Sequence, residues 1–187
     1  MKGAEWLRVE LYMQTQILSG FIYQPYEGRL LDLLNGVWVR QPESRGRFIE
    51  LSEVTIHYVD GKTERLPSAY INKATIQLAA TSDGDLARGL GVKVGPKPYP
   101  FMQKLSAPVR LRMPAYALVG NMHCTSRQRA WHVLEEKLMF LPLTDVKIRA
   151  LANGIWSNVP FVAVNREQIL SLQEEETPLA PGSSPST

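Results

Sequence analysis

The chain says nearly the same thing twice, and no other feature constrains its fold as tightly. "FIELSEVTIHY" at residues 48–58 returns as "FLPLTDVKIRA" at residues 140–150. Leu51, Ser52, Glu53, Val54 and Ile56 fall on Leu143, Thr144, Asp145, Val146 and Ile148. Downstream, Pro67, Ile71, Asn72, Lys73 and Ile76 fall on Pro160, Val164, Asn165, Arg166 and Ile169. Upstream, Val9, Leu11, Met13, Leu18 and Gly20 fall on Val109, Leu111, Met113, Leu118 and Gly120, and "GRLLDLLNG" at 28–36 falls on "QRAWHVLEE" at 128–136. Four blocks in one order, with small gaps, read as a tandem duplication.

Each copy has a legible local pattern. Residues 9–14 alternate apolar and polar, the period of a half-buried strand, and residues 17–23 read as a second strand after a bend. Leu30, Leu31, Leu33 and Leu34 make one stripe of a short helix that Asn35-Gly36 stops. In the second copy Ser126 is placed to cap a helix bearing Ala130, Trp131, Val133, Leu134 and Leu138, with Trp131 read as core. Residues 48–59 alternate again, with hairpin turns at Asp60-Gly61 and Asn153-Gly154. Residues 70–79 and 163–172 read as one closing strand in each copy.

The fold class expected is mainly β with short helices (α+β), as two tandem copies of a small strand–helix–strand–strand domain packed together. The first copy spans residues 1–81 and the second 102–173. A Gly/Pro-rich linker at 82–101 joins them, and a tail at 174–187 has a disordered composition. The 187 residues suffice for two such units.

The order strand, Gly20, a Leu-rich helix ending Leu34-Asn35, then Phe48-Ile49-x-Leu51-Ser52-x-Val54, a hairpin and Ile71-Asn72-Lys73 resembles an uncharacterised bacterial domain of unknown function. The second copy departs from it at Leu134-Glu135 and Asn165-Arg166. That resemblance implies no activity. The curled-strand pattern is also similar, by topology, to Sm-like small barrels, which form rings and bind RNA.

Catalytic chemistry is searched for without result. His123, Cys124 and His132 lack the ligand number and spacing of a zinc site. Cys124 pairs poorly with His123, because neighbours on a strand face opposite ways. The spaced glycines of "RGLGVKVG" at 88–95 match no phosphate-binding loop and read as linker. Glu53 and Asp145 read as structural carboxylates at strand starts. No enzyme activity, metal or cofactor is expected.

The segment at residues 37–47 has no counterpart in the second copy. It carries Trp38, Arg40, Arg45 and Arg47, and Arg127 and Arg129 flank the second helix near Trp131. Arginine beside an exposed aromatic stacks on bases, pairs phosphates or anchors a protein contact. The net charge of +3 is mildly basic, and the last 17 residues hold three Glu and no Lys or Arg. One cysteine excludes an internal disulfide framework and makes a reducing, cytoplasmic setting the default. No apolar run is long enough to span a membrane. The expected role is non-enzymatic: a binding, scaffold or assembly protein with a protein partner or its own copies. The alternative is nucleic-acid, specifically RNA, binding with Sm-like character.

Overall fold

The computed structural model describes residues 5–24, 29–36, 46–81, 104–126 and 128–175. Ten strands run in chain order: β1 (Glu5–Tyr12), β2 (Gln16–Gln24), β3 (Phe48–Tyr58), β4 (Thr63–Asn72) and β5 (Leu78–Ala80), then β6 (Lys104–Arg112), β7 (Tyr116–Thr125), β8 (Phe140–Ala150), β9 (Trp156–Asn165) and β10 (Ser171–Glu174). Helix α1 (Leu30–Asn35) lies between β2 and β3, and α2 (Ala130–Leu134) between β7 and β8. Single 3-10 turns, Lys73–Thr75 and Arg166–Gln168, follow β4 and β9.

This corrects the α+β expectation of two packed strand–helix–strand–strand domains. The strands form one antiparallel sheet in the order β10-β6-β7-β8-β9-β5-β1-β2-β3-β4, and the helices are two small pieces beside it. The reason lies in the expected closing strand, which is not one strand. At Asn72 the side-chain Oδ1 accepts from Ala74 N at 3.1 Å, an Asx turn that ends β4 and starts the 3-10 turn. Asn165 does the same to Glu167 N at 3.0 Å. Beyond the turn the chain crosses back: β5 pairs with β1 on one side and β9 on the other, so the halves share a sheet instead of stacking.

The middle of that sheet is buried on both faces. Leu78 and Ala80 of β5 join a core formed mostly by the second half, while Ala79 between them joins the first half's core. In β9, Val162 and Val164 point to the second core, and Phe161 and Ala163 to the first. Successive side chains on a strand face opposite ways, so the two cores lie on opposite faces of the central strand pair.

The outer strands bend at matched irregularities. Between Ser19↔Thr55 and Phe21↔Ser52 strand β3 gains one residue over β2, and β8 gains one over β7 between Val119↔Lys147 and Asn121↔Thr144. Glu53 (φ 51°) and Asp145 (φ 52°) take the left-handed backbone there, inside strands rather than at their starts as expected. The bulges increase local twist, which lets each half curl over its own core.

Three local expectations in the second half change. The α2 N-cap is Arg129, not Ser126, and Gln128 N donates to Thr125 O at 2.9 Å just ahead of it. Trp131 is 46% exposed rather than core, stacked on His132 with ring centroids 3.7 Å apart. A five-residue helix presents one turn inward, and Ala130 and Val133 occupy it. Glu174, expected in the tail, ends β10, and its Oε1 accepts from Ala130 N at 2.8 Å. The expected linker at 82–101 lies outside the described residues. Among the described residues no helix is long and apolar enough to cross a membrane.

Candidate functional site: a basic cleft at the junction and two open sheet edges

Side-chain amides stitch the halves together. Asn35, at the end of α1, donates through Nδ2 to Phe140 O and accepts at Oδ1 from Phe140 N, both at 2.9 Å. One side chain thus imitates a strand partner for the start of β8. Gln77 Oε1 accepts from Ala115 N at 3.0 Å. Asn165, fully buried, donates through Nδ2 to Ile76 O at 2.8 Å and to Lys73 O at 3.3 Å. Gln168 Nε2 donates to Ala74 O at 2.9 Å. The 3-10 turn Lys73–Thr75 is therefore held by side chains from the opposite half.

Above this seam opens a cleft of about 340 Å³, walled by Asn35, Arg47 and Lys73 from the first half and by Lys137, Met139 and Glu167 from the second. Arg47 stands just before β3, and its carbonyl accepts from Lys73 N at 2.7 Å, which fixes the two cationic residues side by side. Lys73 is only 6% exposed. Among the described residues no carboxylate lies within ion-pair distance of it, and burial holds its ammonium below the ordinary lysine range.

Of the residues singled out in the sequence, Arg47 lines this cleft. Trp38, Arg40, Arg45 and Arg127 lie outside the described residues. Arg129 sits elsewhere, exposed at the α2 N-cap, with Nη1 3.9 Å from Glu174 Oε2. Lys73 and Lys137 join the cleft without having been marked by any sequence motif. The available signal was Lys73 itself, a lone cation inside the apolar stretch "YINKATIQLAA".

The histidines and the cysteine do not converge. His123 Nε2 lies 2.9 Å from Thr144 Oγ1, His57 Nε2 lies 3.5 Å from Ser19 Oγ, and His132 Nδ1 accepts from Arg129 N at 2.9 Å. Cys124 is buried in the second core. Among the described residues no group of three or more His, Cys, Asp or Glu side chains is placed to hold a metal.

The second feature is the pair of sheet ends. β4 and β10 each have one strand neighbour among the described residues. Tyr70 on β4 is 70% exposed, and Leu170, just before β10, is 65% exposed. In the sequence match Ile71 corresponds to Val164 and Leu172 to Ala79, so β4 corresponds to β9 and β10 to β5. The strands that join inside the chain, β5 and β9, are thus the counterparts of the two that end the sheet. Compared with known proteins, the chain matches no family model, no curated protein and no solved structure.

Proposed function

We propose that the chain is a non-enzymatic assembly protein, a duplicated β unit whose copies join head to tail through the open edges β4 and β10. One observation carries the reading: the β5·β9 pairing at the centre of the sheet is a heterologous contact between the counterparts of those two edges. Transferring its register places Ser171, Leu172 and Gln173 of one copy opposite Ile71, Tyr70 and Ala69 of the next. Asn72 would then donate to the carbonyls of Arg166 and Ile169, as Asn165 donates to those of Lys73 and Ile76.

The outer contact is weaker than the inner one. Leu78 and Ala80 of the junction correspond to Ser171 and Gln173, which bury less apolar surface. Association is therefore reversible and concentration-dependent. A heterologous contact closes into rings when its rotation allows and otherwise runs on as filaments.

Light scattering across a concentration series tests this, with Tyr70→Lys to block one edge and Leu170→Lys the other, since lysine on an edge strand opposes pairing. The wild type gains mass with concentration, and each variant alone stays monomeric. An equimolar mixture of the two retains one good β4 and one good β10 edge, and so forms a dimer and nothing larger. A wild type that remains monomeric at every concentration, or a mixture that fails to dimerise, defeats the reading.

A further inference from the structure

We propose that the cleft between the halves is a binding site for a phosphate group, carried either by a small phosphorylated molecule or by a nucleic-acid backbone. This goes beyond self-assembly and rests on different residues. Three cations line the cleft from three separate segments: Arg47 before β3, Lys73 in the 3-10 turn and Lys137 after α2. Glu167 is the one acid among the lining residues, so the wall carries an excess of positive charge.

Lys73 makes the case specific. Surface lysines keep their charge in water, whereas this one is only 6% exposed and, among the described residues, has no acid at ion-pair distance. Its stem is covered while its ammonium keeps contact with solvent at the cleft, and this partial desolvation with no counter-charge lowers its proton affinity. An anion in the cleft supplies the missing charge. The site is also held ready, because the Lys73 carbonyl accepts from Asn165 and the Ala74 carbonyl from Gln168, while Lys73 N donates to Arg47 O. Binding therefore requires little ordering of the protein.

Phosphate fits better than a carboxylate. A phosphate offers three or four acceptor oxygens and, as a monoester, close to two negative charges, which matches cations arriving from three segments. The cleft volume of about 340 Å³ lies at the small end of ligand-sized pockets and suits a phosphate with part of its carrier.

The test is a titration of the full chain, followed by amide NMR and calorimetry, with three probes: inorganic phosphate, a nucleoside 5′-monophosphate and a single-stranded oligonucleotide. Phosphate should shift the amide signals of residues 72–74. The double variant Arg47→Ala/Lys137→Ala removes two exposed side chains, so its folding is not at stake, and its affinity for phosphate should fall roughly tenfold or more. Lys73→Met should lose binding while its thermal midpoint stays the same or rises, because the desolvated charge is gone. Arg65→Ala, an exposed cation of β4 that does not line the cleft, should bind as the wild type. Affinity that grows with oligonucleotide length and falls steeply with salt assigns the phosphate to a nucleic-acid backbone. Strongest binding by the monophosphate assigns it to a small molecule. If none of the three probes perturbs residues 72–74, or if the double variant binds phosphate like the wild type, the site is not a phosphate site.

Discussion

Gly20 and Gly120 occupy matching places in β2 and β7 and are needed for the same steric reason. A Cβ on Gly20 would stand 2.8 Å from Ser52 O and 3.0 Å from Leu51 Cδ2. On Gly120 the nearest atoms would be Leu143 Cδ2, Leu143 Cγ and Thr144 O, each at 3.1 Å. The bulged strand presses its backbone against the glycine, and a carbonyl in a ladder cannot step aside as a side chain can. Gly20→Ala should therefore destabilise by about 1–3 kcal/mol, and Gly120→Ala by less. Urea midpoints of the two variants decide this, and an equal or reversed order would show that the bulge relaxes. The match of Gly20 with Gly120 was visible in the sequence. Its cause was not, because the extra residue that creates the pressure lies at Glu53 and Asp145, and neither type signals a left-handed backbone as glycine does.

At the scale of elements, the alternating blocks at 9–14, 17–23 and 48–59 became β1, β2 and β3, where hydrophobic period and turn chemistry agree. The apolar run after Asn72 was misread as one strand. Its residues are buried from Ile76 to Ala80 because β5 lies between two cores, and a strand covered on both faces loses its alternation. Asn72 and Asn165 show how context separates equal sequence. Both cap a 3-10 turn, but only Asn165 also satisfies two carbonyls of the other half. Asn72→Ala should cost about 1 kcal/mol, the value of a lost cap. Asn165→Ala should cost a further 1–3 kcal/mol or so, since it strands buried acceptors. Denaturant unfolding measures both, and equal losses would mean that the junction bonds contribute nothing net. The basic cleft escaped the sequence for a related reason. Lys73 and Lys137 lie 64 positions apart, and only the seam between the halves brings both beside Arg47.

On the scale of the whole molecule, the seam decides whether the chain behaves as one unit. Period and spacing revealed two similar halves but not a shared sheet, because the order of strands across a sheet leaves no periodic mark in the chain. Tyr12 and Tyr116 meet edge-to-face in the seam, with ring centroids 5.5 Å apart. Tyr116 OH donates to Met13 O at 3.1 Å and Tyr12 OH to Glu10 Oε2 at 2.9 Å. Burial pushes the Tyr116 phenol up to about 12, and burial together with the Glu10 carboxylate pushes Tyr12 up as well. Phenols of an unfolded chain titrate near 10.0. Above that pH the unfolded chain has released protons that these two phenols keep when folded, so unfolding becomes progressively easier. Their contribution is fully present below pH 10.0 and drains away as pH rises toward about 12. Lys73 acts in the opposite sense, since its lowered value favours folding as pH rises, but only up to the ordinary lysine value of 10.5. Stability should accordingly fall between about pH 10.5 and 12, and both halves should unfold in one transition. Absorbance titration should find the last tyrosines ionising together with loss of the sheet signal in circular dichroism. Tyr116→Phe should flatten the pH slope. If all seven tyrosines ionise while the sheet remains intact, water reaches the seam and the halves are not joined as described.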